Sequence, residues 1–304
     1  MNKDLFQPLD ESHLHEAHHF RKGVILMLIF GLFSTCIVAL ARKLQESTEI
    51  PTIMLFQNLV GLLFTLPSVI KHHFKDVRRA PFRLLLIRCI FGQLNTVMVL
   101  MAIRSISLAN TVLLNNTAPI FVPLVAYFWL KKKIEKKIWI GIFLGFLGVM
   151  LILKPTSEVF NYGATYALIG GVFLAVVMIT IRLLSSKEKS RVVMFYFFLT
   201  GVLLALPFSI ATWTALSAQT LILLIGLGLI TIIAQSIFML AFRYGSATQL
   251  SPFTYTAVVY SALFDWFFWD KIPTYLSIIG MILVAAGGIY AIFYTRPIKP
   301  AKPT

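Results

Sequence analysis

Apolar residues in this chain neither alternate nor form a helical stripe; they come in long runs. Polar and charged residues gather in the short connections between them. The runs fall at 23–41, 50–70, 84–103, 108–130, 138–153, 164–184, 192–213, 220–241, 247–269 and 275–294. A run of about 20 apolar residues, wound as a helix, crosses a bilayer core of roughly 30 Å. Backbone groups facing lipid must satisfy one another locally, so runs of this length predict helices and not strands. The pattern predicts an all-α polytopic membrane protein with ten transmembrane helices. No connection is long enough to hold a separate catalytic module.

The runs repeat. Residues 102–153 align with 241–292 at an offset of 139 without a gap, with twelve identities. Those harder to obtain by chance are Arg104/Arg243, Ser107/Ser246, Thr117/Thr256, Gly141/Gly280 and Gly148/Gly287. Upstream, at an offset of 140, Gly23, Gly31, Phe33 and Arg42 pair with Gly163, Gly171, Phe173 and Arg182. A period this long marks a duplicated architecture. The expected organisation is a cytoplasmic tail 1–22, a first five-helix repeat 23–153, a second 163–295 and a cytoplasmic tail 296–304.

Composition agrees with the runs: the chain is 58% hydrophobic and 13% charged, with mean hydropathy +0.84. The net charge of +15 would suit a nucleic-acid partner, but its placement assigns it to membrane orientation. One alternating set of connections (both tails, 71–83, 131–137, 186–191 and 242–246) carries 20 Lys and Arg, and the other set carries 5. Positive connections stay inside, so both termini are expected in the cytoplasm. Each half has an odd number of spans, so the second half must enter the membrane upside down relative to the first. Cys36 and Cys89 lie inside apolar runs and read as small packing residues.

Inverted halves are the architecture of alternating-access carriers, in which substrate binds near mid-membrane between the repeats. The motifs also resemble one family. Each half opens with a Gly-rich span ending in a basic residue (Gly31 and Arg42, Gly171 and Arg182). Each closes with Ala-x-Arg-x-x-Ser, Thr-Ala, Phe and Lys, followed by a Gly-spaced last span (Gly141, Gly145, Gly148; Gly280, Gly287, Gly288). With Leu151-Ile152-Leu153-Lys154-Pro155, these features resemble the EamA branch of the drug/metabolite transporter superfamily over residues 21–296. The resemblance implies a ten-helix transporter in the cell (inner) membrane. In one place the chain departs from it: Asp270 matches an acidic position common in the family, whereas Lys131 stands at its first-half counterpart.

Polar groups inside spans are costly and therefore candidates for a cavity lining. Arg88, Gln93 and Asn95 share the third span, Gln57 and Asn58 the second, and Gln235 lies on the eighth. Arg88 reads either as a snorkelling cation near the cytoplasmic end of its span or as a partner for an anionic group such as a substrate carboxylate. Asn115 and Asn116 lie mid-span, and Thr254 and Tyr255 occupy the equivalent positions of the second half. The substrate-binding set read from these positions is Asn115, Tyr255, Arg88, Gln93, Gln235 and Thr254, with Asn115 and Tyr255 meeting substrate from opposite halves. The bland alternative is interhelical hydrogen bonding, about 0.6–2 kcal/mol per contact. Pro119, Pro123 and Pro252 interrupt spans four and nine and are read as kinks or flexing points. Asp265 is the one acidic residue within a span; it reads as an interfacial charge in water, or as the group that couples transport to protons.

Two formal motifs carry less. His15-Glu16-Ala17-His18-His19 fits H-E-x-x-H, but it sits in a short tail that cannot supply a third ligand and a cleft. Asn115-Asn116-Thr117 is a glycosylation sequon buried at membrane depth. The spans hold no His and one Asp, too little for a membrane-embedded enzyme. A passive channel is the third class, separable from a carrier by saturation and counterflow. The sequence thus predicts a secondary transporter of a small polar metabolite. An amino acid or related solute is the first candidate and a larger solute such as S-adenosylmethionine the alternative. No cofactor or metal is called for. The expected partners are a small-molecule substrate and the lipid bilayer, with no nucleic acid; a homo-oligomer is compatible.

Overall fold

The computed structural model describes residues 11–71, 82–131, 136–153, 162–185 and 190–269, and beyond these 275, 276, 278–280, 282, 283 and 286. Side-chain surroundings begin at Phe20. The tenth expected span and the C-terminal tail lie largely outside these residues, as do Asp270 and Lys132. Among the described residues every regular element is helical. In chain order they are α1 (Glu11–Leu44), α2 (Ile50–Lys71), α3 (Phe82–Ser105), α4 (Leu108–Asn115), α5 (Ala118–Leu130), α6 (Lys136–Leu153), α7 (Tyr162–Ser185), α8 (Ser190–Ala211), α9 (Ala218–Tyr244), α10 (Ala247–Leu250), a 3-10 turn (Ser251–Tyr255) and α11 (Thr256–Trp269). Seven stretches are long and apolar enough to cross a membrane: Phe20–Leu44, Ile50–Lys71, Phe82–Ser105, Leu108–Trp129, Tyr162–Ser185, Ser190–Ala211 and Ala218–Tyr244. They coincide with expected spans one to four and six to eight. Large apolar side chains cover the outer surface, Phe267 at 81% exposure and Ile222 at 68% among them. Together with the long apolar helices, this makes the chain a multi-pass membrane protein.

Three of the expectations change in detail. Helix α1 begins at Glu11, so the helix of the first span extends back into the tail expected at 1–22. Span four is two helices: α4 ends at Asn115, Asn116 and Thr117 form a turn, and α5 begins at Ala118. Pro119 therefore sits in the first turn of α5, where its missing N–H has no partner to lose, while Pro123 lies inside α5. Span nine breaks at the equivalent place. The 3-10 turn Ser251–Tyr255 contains Pro252 and is followed by the 14 residues of α11. The matched serines found in the sequence open the two broken spans. Ser107 accepts from the Asn110 backbone N–H at 3.3 Å, and Ser246 accepts from that of Gln249 at 3.3 Å, each satisfying a donor that a helix start leaves free.

The helix packing follows the repeat. The three most extensive pairings are α3 with α7, α1 with α9, and α2 with α8. Exchanging the halves turns the first pairing into the second and the third into itself. Glycines permit the closest approaches, and these too come in exchanged pairs. A Cβ on Gly31 would stand 2.9 Å from Thr256 Oγ1, and one on Gly171 would stand 2.8 Å from Thr117 Oγ1. Gly23 abuts Tyr244 and Ala241, as Gly163 abuts Ser105 and Ala102. At the α2–α8 crossing Gly61 faces the Phe198 ring, while Gly201 faces Asn58. Small residues at such crossings let helix backbones approach where no hydrophobic force drives them together. The largest buried cluster draws on both halves, with Met27, Leu85 and Cys89 beside Met178, Phe198 and Phe242.

Candidate functional site

Helix α3 carries the polar residues furthest into the interior. Arg88 is 2% exposed, so it does not snorkel outwards. Its Nη2 donates to Gln235 Oε1 on α9 at 2.9 Å, and its Cζ stands 4.6 Å from the centroid of the Phe197 ring on α8. Gly92, one turn along α3, makes room for this: a Cβ there would lie 2.3 Å from Arg88 Nη1 and 2.8 Å from the Phe197 ring. The Nε and Nη1 atoms have no hydrogen-bond partner.

Next along the chain, Gln93 is 1% exposed. Its Nε2 donates to Asn58 Oδ1 on α2 at 2.8 Å and to the Phe197 carbonyl on α8 at 2.9 Å. Asn58 Nδ2 in turn donates to the Met54 carbonyl at 2.8 Å. Arg88, Gln93 and Asn58 from the first half thus meet Gln235 and the Phe197 backbone from the second. Such interhelical bonds are worth on average about 0.6 kcal/mol each, so their value lies in fixing positions more than in stability.

Two turns from Arg88, Asn95 Oδ1 accepts from Asn115 Nδ2 at 2.7 Å. Gly170 on α7 leaves the space for this pair, since a Cβ there would stand 2.7 Å from Asn115 Nδ2. Asn115 is the last residue of α4, at the break in span four. Asn116 and Thr117 bond back to the Val112 and Leu114 carbonyls.

The second-half counterparts are different. Thr254 donates to the Ser251 carbonyl at 2.8 Å, inside its own turn. Tyr255 is 1% exposed, its ring lies on Gly145, and its hydroxyl has no partner. It packs with Val112, Leu113 and Leu114 of α4. The two breaks therefore adjoin, but Asn115 pairs with Asn95 and not with Tyr255. Asp265 is 5% exposed, buried in α11 and not an interfacial charge in water. A hollow on α11 is lined by Leu263, Phe264, Trp266, Phe267 and Phe268. The set expected from the sequence thus divides. Arg88, Gln93 and Gln235 come together, Asn115 joins through Asn95, and Thr254 and Tyr255 belong to the second break. Asn58 and Asn95 complete the cluster. Their signal in the sequence was their cost as amides within apolar runs, but nothing local said which helix face they occupied. No metal-binding group of His, Cys, Asp or Glu occurs among the described residues.

Comparison with known proteins fits this architecture. Over 274 residues the chain is 26% identical to a pseudopaline exporter of Pseudomonas aeruginosa, covering 88% of this chain and 95% of that protein. It is 25% identical over 265 residues to a riboflavin transporter of Vibrio cholerae, covering 84% and 88%. Over 184 residues it is 25% identical to an S-adenosylmethionine uptake transporter of Rickettsia prowazekii, covering 60% and 63%. A crystal structure of a protein with 18% identity superposes with a TM-score of 0.72 over 90% of this chain and 97% of that one, which shows a shared fold. The model of the EamA-like transporter family matches twice, at residues 21–154 and 161–294, on the two halves that the repeat and the paired glycine crossings mark out. The chain is a membrane transporter that belongs to the EamA-like transporter family.

Proposed function

We propose that the protein is an alternating-access secondary carrier of a small polar metabolite, built as ten spans in two inverted five-helix repeats, 23–153 and 163–295. Both termini lie on the cytoplasmic side of the cell (inner) membrane, and the substrate binds between the halves. The observation that carries this reading is the interior polar cluster. Arg88 and Gln93 of one half hold Gln235 and the Phe197 carbonyl of the other, so a shift of one half against the other must remake the cluster. A carrier needs a site that each half can open in turn. Arg88, Gln93, Gln235 and Asn115 form the substrate contacts with Asn58 and Asn95, and Tyr255 and Thr254 line the second break. Asp265 is the titratable candidate for proton coupling. A larger solute taken up from outside is the second reading, favoured by the similarity to the S-adenosylmethionine uptake transporter.

The test uses purified protein in proteoliposomes loaded with an isotope-labelled bacterial metabolite extract. Unlabelled extract outside should draw labelled solutes out faster than buffer does, with saturation. Efflux that rises linearly with concentration and ignores the outside solutes would identify a pore and refute the carrier.

A further inference from the structure

Arg88 is a buried cation with no counter-ion among the described residues. Among the described residues the recorded ion pairs are Lys43–Glu46 and Arg104–Glu49, both at exposed positions, and Arg88 belongs to neither. Gln235 and the Phe197 ring orient the guanidinium, yet neither carries a charge to offset it. Its Nε and Nη1 carry three N–H bonds between them, and none meets an acceptor. An unpaired charge at such a place costs several kcal/mol. A fold that merely needed to fill this space would do better with a neutral side chain. The position is also built: Phe197 supports the flat face, and Gly92 lacks the Cβ that would collide with Nη1.

A second set of free atoms lies on the same helix. Asn95 is seven residues from Arg88, or about 10 Å along an α-helix, and close to the same face. The bond from Asn115 Nδ2 to Asn95 Oδ1 leaves Asn115 Oδ1 as an acceptor and Asn95 Nδ2 as a donor. One end of the cluster thus offers an uncompensated positive charge, and the other a neutral donor and acceptor. No carboxylate with a described side chain is recorded in the cluster to receive an ammonium. A single guanidinium matches a single negative charge; a phosphate dianion would need a second cation.

Resting on the carrier reading above, we propose that the substrate is an organic monocarboxylate, its carboxylate received by the free N–H groups of Arg88 and a neutral polar group about 10 Å away by the Asn95–Asn115 pair. A zwitterionic amino acid leaves its ammonium without an ionic partner here, so the proposal narrows the substrate class to net anions. Substrate and cation complete each other: the bound carboxylate supplies the counter-charge that the described side chains around Arg88 do not.

The experiment measures the melting temperature of the purified full-length protein in detergent. The probes are a bacterial metabolite extract separated by ion exchange into anionic, neutral and cationic pools, and the anionic pool again after phosphatase treatment. The anionic pool should raise the melting temperature of the wild type, phosphatase treatment should leave that rise in place, and the other two pools should give none. Arg88→Gln should lose the response, with affinity down at least about ten-fold, while melting no lower than the unliganded wild type. Arg88→Lys should keep a weakened response, since it retains the charge but not the fork. Stabilisation by the neutral or cationic pool would overturn the anion assignment and leave the carrier reading standing. So would a full response in Arg88→Gln, and a response abolished by phosphatase would overturn the carboxylate. Absence of any response in the wild type would refute the binding site and this inference together. If Arg88→Gln fails to fold, the pattern of pools on the wild type decides alone.

Discussion

Gly201 offers the most direct check on the central cluster. A Cβ at this position would stand 2.1 Å from Asn58 Oδ1, 2.2 Å from Asn58 Cγ and 2.5 Å from Gln93 Nε2. Gly201→Ala must therefore push α8 from α2 or break the amide pair. Overpacking of this kind costs about 1–3 kcal/mol. The threatened bond from Gln93 Nε2 to Asn58 Oδ1 adds roughly 0.6–1.7 kcal/mol. Alanine also returns up to about 1 kcal/mol as the better helix former, which would blur the result for one variant alone. Gly226 on α9 supplies the control, because a Cβ there meets nothing within 4 Å. The propensity gain is common to both substitutions, so Gly201→Ala should be less stable than Gly226→Ala by about 2–5 kcal/mol. Equilibrium unfolding of the two proteins in mixed micelles, titrated with a denaturing detergent, measures this difference directly. Equal stability would mean that α2 and α8 do not cross at Gly201 as described, and the Asn58–Gln93 pairing would fall with it.

Further tests address topology, the tail and the two breaks. Reporter fusions at the C-terminus and within 154–163 should read cytoplasmic and external respectively, and an external C-terminus would sink the inversion of the halves. Deleting residues 1–19 should leave counterflow intact; its loss with normal membrane insertion would give the histidine cluster a role after all. Asn115→Leu leaves Asn95 unsatisfied and should weaken apparent substrate affinity by roughly ten-fold or more, an unchanged affinity reducing Asn115 to a packing group. Tyr255→Phe removes a buried hydroxyl that has no partner. It should hold stability or raise it by about 1 kcal/mol, and a marked fall would reveal a bond the hydroxyl makes.

How far these features could be read from the chain depended on whether they were local. The helices were legible because lipid leaves the backbone few alternatives. The repeat was legible because its most informative matches have structural duties: Ser107 and Ser246 open helices, while Gly31 and Gly171 admit Thr256 and Thr117. The breaks in spans four and nine were flagged by Pro119 and Pro252. Their form was not, because a proline in a first turn and a proline in a 3-10 turn look alike in sequence. The facing of α3 was hidden for a different reason. A helix that is apolar nearly all round has no polar face to betray its orientation. Gln93 therefore gave no sign that it would reach Asn58, nor Asn115 that its partner was Asn95.

The two halves share a backbone plan and differ in what they present at its centre. Across the repeat, Asn58 corresponds to Phe198 and Asn115 to Thr254. The first half supplies the charge and nearly all the amides; the second supplies aromatic and aliphatic surface, the Phe197 carbonyl and Gln235. Symmetry survives at the glycine crossings because both halves must pack there in the same way. It is absent from the cluster because a pair of fully polar halves would bury twice as many groups in need of partners, each unmet one at about 1–3 kcal/mol. In the proposed carrier, one polar half against one apolar half would let a single asymmetric solute satisfy the free atoms of Arg88, Asn95 and Asn115. Duplication thus accounts for the paired glycine crossings, and divergence at Asn58/Phe198 and Asn115/Thr254 accounts for the unequal share of polar groups between the halves.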